Sequence, residues 1–260
     1  MSEREDIKTA WYIGATSADV GKVAILVGDP ARVDRIALLL DDVHRVPISR
    51  GLQTITGTHA GRRVTVTAFG MGAPIAVVVM EELRALGVGL FLRIGTAMAA
   101  GPVSLGDFVV AEGALRREGT SASYAPAGYP ALADRSLNEV ILDRLKSGKH
   151  PYYSGVFASY DGFYSEMFTL PGARQRVRPE LLADIGNYGL IAADMETSAL
   201  LVAGRMLDAR VSSLCMATVD PVTQAKLDAA ATTATEHELF QIALDSVSNA
   251  SFHEEEETDS

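Results

Sequence analysis

Residues 90–97, Leu-Phe-Leu-Arg-Ile-Gly-Thr-Ala, set one arginine inside an otherwise apolar run, and that charge limits what the chain can build. A helical stretch, 73–86, and a turn at Gly87 come just before it. The run therefore reads as a buried parallel strand that ends in a Gly/Thr loop. An unpaired guanidinium there would cost about several kcal/mol even after relaxation, so Arg93 needs a partner. Two are open: one of the 33 acidic side chains, in a structural salt bridge, or a phosphate or carboxylate ligand. Ligands of such sheets gather at the carboxyl ends of strands, where loop amides and hydroxyls face an anion.

The rest of the chain alternates Val/Ile strands with Ala/Leu helices, which predicts an α/β class. Its 260 residues suit one domain over 1–250. The end, 251–260, holds five acidic side chains and reads as a disordered, solubilising tail. A net charge of -10 argues against a nucleic-acid partner, whose phosphates need a basic face. No 18-residue apolar stretch is present to span a membrane, and the first ten residues lack the apolar core of a secretory signal. The expected location is the cytoplasm, by elimination. The single Cys215, in an apolar run, is expected to be a small buried hydrophobe rather than a nucleophile.

In chain order, 23–28 predicts a strand and Pro30 the start of a helix over 31–40, a corner suited to an anion. Arg32 stands two residues beyond that proline and can close over a phosphate or lie in solvent. Residues 53–69 predict a hairpin, with Arg50 on the loop before it. Phe108–Ala111 predicts a strand, 112–130 a long irregular loop, and 131–146 a helix. The strand-like 155–159 feeds an aromatic loop, 160–168, fit to stack on a flat ligand or to pack on the core. Asp194 and Glu196 open a helix over 194–206. Glu196 is suited to a pair of sugar hydroxyls, whereas Asp194 has helix capping as its plainer use. The strand 211–218 ends at Asp220-Pro221, and 230–247 is a helix expected on the outside. Dinucleotide and zinc motifs are missing, and the five histidines are scattered away from strand ends.

Several ordered stretches together resemble the nucleoside phosphorylase superfamily, closest in layout to its bacterial uridine phosphorylase branch: VGDPARVDRIA (27–37), FGMGAPIAVVVMEELRALGV (69–88), FLRIGTAMA (91–99), GDFVVAEGALRREGTSASYAP (106–126), SYDGFY (159–164) and ADMETSAL (193–200). The resemblance implies a central twisted mixed sheet flanked by helices, and an enzyme that exchanges a nucleoside's base for phosphate. It assigns phosphate to Gly28, Arg32, Arg93 and Thr96, with Arg50 reaching in from a neighbouring subunit. It gives the ribose to Glu196, Met195 and Tyr12, the last standing where the family carries a His. The base pocket would hold Ala97, Phe163, Met167 and Asp220. Phosphate is then a co-substrate and no redox cofactor or metal is implied. The partners are a nucleoside, inorganic phosphate and further copies of the chain, at least a dimer, with hexamers usual in the family.

The chain departs from the uridine branch where the base is read. Met167 and Thr169 stand at the positions of a Gln and an Arg that recognise uracil, and Pro221 replaces a further Arg. Uracil carbonyls left without donors would cost roughly 1–3 kcal/mol each. A purine is therefore the expected alternative base, with Asp220 as its general acid if burial raises its pKa, or as a turn cap if not. A nucleoside hydrolase of the same fold and a non-catalytic nucleoside-binding protein are the remaining alternatives.

Overall fold

The computed structural model describes residues 9–170 and 179–251, so the acidic stretch 252–260 lies outside the described residues. In chain order the elements are β1 (Val23–Val27), α1 (Pro30–Ala37), β2 (Asp41–Arg45), β3 (Thr54–His59), β4 (Arg62–Ala68), α2 (Ala73–Ala85), β5 (Leu90–Ala99) and β6 (Phe108–Arg117). There follow β7 (Ala131–Leu132), α3 (Arg135–Gly148), β8 (Tyr152–Tyr160), α4 (Pro179–Tyr188), β9 (Ala192–Asp194), α5 (Thr197–Met206), β10 (Arg210–Val219) and α6 (Ala229–Asn249).

All ten strands join one mixed sheet, flanked by helices as expected, with β5 as its hub. One edge of β5 pairs with β10 in parallel. The other edge pairs with β1 through Ile94 and with β9 from Met98 onward. Because β10 also pairs with β6, β6 with β8, and β8 with β9, five strands close into a ring. From it β1, β4, β3 and β2 extend as an open wing. Among the described residues the β1/β9 edge of β5 has no strand partner between Ile94 and Met98, the kind of switch point at which ligands of open α/β sheets gather.

Alternation along the strands sorts the core. Val23, Ile25 and Val27 of β1 and Leu90, Leu92 and Ile94 of β5 pack with α1, α3 and α6 on one face. Ala24, Leu26 and Phe91 meet α2 and α5 on the other. Ala97, Ala99, Val109, Phe157, Cys215 and Ala217 form a smaller cluster contributed by the ring strands. Burying both faces explains why these strands read as continuous apolar runs.

Four local expectations change. The central strand does not end in a loop at Gly95-Thr96: pairing with β10 and then β9 carries it to Ala99. Residues 112–117 are strand, because β6 pairs with β8 as far as Arg117↔Tyr160. The helix expected over 131–146 begins at Arg135, where Asp134 accepts a hydrogen bond from the Leu137 N–H, while Ala131 and Leu132 pair with β6. The first helix stops at Ala37 rather than at residue 40. The outer helix α6 covers one face with Leu239, Phe240, Ala243 and Val247 buried beneath it.

Candidate active site

Arg93 shares its side of β5 with Phe91 and Gly95, and its register partner on β10 is Ser213. Small and polar neighbours are what a guanidinium needs here. A Cβ on Gly95 would lie only 3.3–3.4 Å from the guanidinium of Arg93, so the side chain folds over that glycine. Arg93 is 4% exposed and faces acids. Its Nη2 donates to Glu196 Oε2 at 2.6 Å, and its Nη1 lies 3.2 Å from Asp194 Oδ2. Nη1 also donates to Cys215 Sγ at 2.6 Å and to Ser213 Oγ at 3.4 Å. Burial works against the charge, but Cys215, Asp194 and Glu196 outweigh it and hold the guanidinium firmly protonated. The acidic partners of the salt-bridge alternative are thus Asp194 and Glu196. Nε of Arg93 is buried without a partner, so the group retains one donor.

The acids are fixed from several sides. Glu196 accepts from the Gly72 N–H at 2.8 Å through Oε1, which ties the start of α2 to Arg93. Asp194 accepts from Ser159 Oγ at 2.6 Å and from the backbone N–H groups of Glu196 (3.3 Å) and Thr197 (3.2 Å). It also accepts from Thr197 Oγ1. Helix capping and ion pairing are both its work, and the second was invisible in the sequence. Met195 between them is half-buried against the cluster of Met98, Tyr160 and Leu190.

At the end of β1, Val27 pairs with Ile94, which brings Gly28 level with the gap. A side chain at Gly28 would press within 2.9 Å of the Gly70 carbonyl, so only glycine fits this approach. Asp29 caps α1 by accepting from the Ala31 N–H at 2.9 Å, with Pro30 at the first turn and Arg32 behind it. Arg32 is buried rather than solvated, and its Nε donates to Glu236 of α6 at 2.7 Å. Thr96, half-buried, alternates to the opposite face of β5 from Arg93, while Ala97 packs in the ring cluster.

Tyr12 and Arg50 meet each other, with the guanidinium 5.0 Å from the ring centroid. Glu82 of α2 accepts from the backbone N–H groups of Tyr12 and Ile13 at 2.9 Å each. Among the described residues no hydrogen bond or ion pair joins Tyr12 or Arg50 to Arg93 or Glu196.

On the far side, 163–167 form a short π-helical turn in place of an open loop. Phe163 stacks on Phe168 at 5.6 Å, and Lys226 lies over the Phe168 ring at 4.8 Å. Two of the base-side residues have other contacts in the structure. Met167 is 2% exposed and packs with Tyr160, Leu181 and Leu190, so it backs the aromatic turn instead of lining a pocket. Asp220 is a turn cap: its Oδ1 accepts from the Thr223 N–H (2.6 Å), the Val222 N–H (2.9 Å) and Thr223 Oγ1 (2.9 Å). Those bonds, the Thr223 N–H first, hold its carboxyl below the usual range, opposite to what a general acid requires. Gln224, unnoticed in the sequence, joins the two loops by accepting from the Thr169 N–H at 2.9 Å. Of the histidines, His44, His59 and His150 sit against Asp19, Asp245 and Glu238, away from Arg93, and His253 lies outside the described residues.

Comparison with known proteins agrees with this architecture. The sequence model of the Phosphorylase superfamily matches residues 22–252. The uridine phosphorylase of Thermococcus kodakarensis is 31% identical over 216 residues, 82% of this chain and 78% of that protein. The guanosine phosphorylase of Halorubrum lacusprofundi is 34% identical over 203 residues, 78% of this chain and 79% of that protein. A crystal structure of uridine phosphorylase from Vibrio fischeri, complexed with 6-hydroxy-1-naphthoic acid, superposes with a TM-score of 0.83 at 31% identity. It covers 93% of this chain and 97% of that one.

Proposed function

This chain belongs to the phosphorylase superfamily, and from that premise we propose that it is a nucleoside phosphorylase with a purine nucleoside as its preferred substrate. The observation that carries the reading is the buried Arg93–Glu196 pair, with Glu196 held by the Gly72 N–H beside the close approach of Gly28 to the Gly70 carbonyl at the end of β1. Phosphate is assigned to Gly28, Arg32 and Thr96 at the unpaired edge of β5, with Arg93 completing the set across that edge from the other face of the strand. Glu196, held by Arg93 and the Gly72 N–H, presents its carboxylate to the ribose hydroxyls beside Met195. A phosphate oxygen bonds to C1′ as the C1′–N bond breaks, and the base departs with the bonding pair and takes up a proton. Fixed arginines lower the barrier by placing the dianion next to the cation that develops on the sugar.

The purine preference rests on the base side. Met167 is committed to the core and Thr169 is a short side chain, so neither replaces the Gln and Arg expected of a uracil reader. The Phe163–Phe168 stack offers apolar area that a two-ring base covers better than a one-ring base. A guanosine phosphorylase among the relatives is consistent with that preference. The working unit is at least a dimer, in which Arg50 and Tyr12 of one copy complete the site of the next, and three such dimers make a hexamer. Trp11 (88% exposed) and Ile48 (67%), close to Tyr12 and Arg50 in the chain, give that surface apolar area a second copy would cover.

A chromatographic assay against guanosine, inosine, adenosine, uridine and thymidine, each with and without phosphate, tests this. Phosphate-dependent release of a purine base is expected. Release of uracil or thymine in preference would overturn the base assignment, and release without phosphate would mark a hydrolase.

A further inference from the structure

We infer that Glu236 of α6 is a positioning residue that aims Arg32 at the phosphate, an inference that rests on the reading proposed above. Glu236 is 5% exposed although Thr233 and Ala234 in the turn before it face solvent. Its Oε1 accepts from Arg32 Nε at 2.7 Å, 204 residues away in the chain, and its Oε2 lies 2.9 Å from Arg35 Nη1. Arg32 and Arg35 stand on one side of α1, so a single carboxylate grips that helix at two points.

The way the grip is made matters more than its presence. A purely structural pair between a buried Arg and a carboxylate favours the two-pronged arrangement, which satisfies two donors at once. Here only Nε of Arg32 is taken, while Arg32 is 9% exposed and both Nη groups lack a protein acceptor among the described residues. Binding at Nε fixes the plane of the guanidinium and leaves the Nη1/Nη2 edge free to meet two oxygens of one anion. That edge belongs to the first turn of α1, the element that follows Gly28 at the gap beside β5. Without Glu236, the long Arg32 side chain would have to be ordered by the phosphate itself, at the expense of affinity. Glu236 touches neither substrate, so its effect is specific to the phosphate arm of the reaction.

The test compares wild type, Glu236→Gln, Glu236→Ala and the exposed neighbour variant Glu238→Ala. Kinetics give KM for phosphate, KM for nucleoside and kcat, and calorimetric titration with inorganic phosphate gives its Kd. Glu236→Ala is expected to raise KM and Kd for phosphate about tenfold or more, with KM for nucleoside within about twofold. Glu236→Gln, which keeps an acceptor oxygen for Nε, falls between, and Glu238→Ala matches wild type. If Glu236→Ala does not fold, Glu236→Gln carries the comparison with a smaller shift in the same direction. Unchanged phosphate constants in a folded variant, or equal changes in both KM values, would overturn the inference. Wild-type protein that binds phosphate but turns over independently of it would overturn phosphorolysis and leave the role of Glu236 to the titration. Wild-type protein that binds no phosphate would overturn both.

Discussion

Nη2 of Arg93 donates to Oε2 of Glu196 across 2.6 Å, with both residues at least 95% buried. The pair connects the two halves of the proposed reaction, phosphate on one side and ribose on the other. Removing one partner leaves a buried charge uncompensated, which costs about 3–5 kcal/mol. Arg93→Ala would strand Asp194 and Glu196 together and should lose stability on that scale by denaturant titration. Glu196→Gln keeps the shape and a donor-acceptor group, so it should fold. Its kcat/KM should fall roughly 10²–10³-fold, the loss typical of one preorganised electrostatic contact. A Glu196→Gln enzyme with wild-type kcat/KM would remove Glu196 from the chemistry.

The contact of Arg50 with Tyr12 makes a second prediction, about subunits. Both side chains are remote from Arg93 in hydrogen bonding, yet they sit together on one surface, with Glu82 fixing the Tyr12 backbone. If they serve a neighbouring copy, then Arg50→Ala and Glu196→Gln proteins, each nearly inactive, should regain activity when co-expressed. Each hybrid dimer then contains one site with Arg50 and Glu196 both intact. Differently tagged copies purified in tandem give the readout. Hybrids as inactive as their parents would place Arg50 in its own subunit's site or outside the reaction.

Asp220 should be dispensable for turnover. Its carboxyl is held below the usual carboxylate range by the Thr223 and Val222 N–H groups, which favours the ionised form. A folded-state pKa below the unfolded value adds stability above the ordinary carboxylate pKa of about 3.9, and that stability is lost as pH falls through the folded value. Asp220→Asn should therefore flatten part of the acid limb of a stability-pH profile. It should leave kcat within about threefold, whereas loss of a general acid costs typically 10²–10⁴-fold. A loss of that size on a purine nucleoside would restore Asp220 to catalysis.

Cys215 offers a probe of how closed the site core is. Burial raises its thiol pKa against the opposing pull of Arg93, and the sulfur is shielded from solvent. A thiol reagent should modify no cysteine in the folded protein and one after denaturation. Rapid labelling of folded protein would show that the ring of strands opens around Arg93.

The parts of the fold that could be read from sequence are those whose burial is two-sided. The runs at β1, β5 and β10 are apolar on both faces, and α2 and α5 are rich in Ala, Val and Leu. Residues 112–117 read as loop because they run on into a stretch rich in Gly, Ser and Pro. In the structure Arg116 turns outward to the carbonyls of Ala125, Pro126 and Tyr129 and gathers the following loop, while Arg117 binds Asp184. In the site, Arg93 and Glu196 were legible because a charge in an apolar run demands a partner. The bond from Arg32 to Glu236 spans two helices at opposite ends of the chain, and no local pattern encodes it. Asp220 was ambiguous for a related reason: hydrogen bonds from the next two N–H groups decide its role, and residue type alone does not report them.

The most direct test of phosphorolysis follows the sugar. Protein incubated with guanosine and inorganic phosphate is monitored by phosphorus NMR while the released base is quantified chromatographically. The account predicts a sugar 1-phosphate resonance that grows one-for-one with free guanine, and no base release when phosphate is omitted. Equal base release in phosphate-free buffer, with free ribose as the other product, would contradict it.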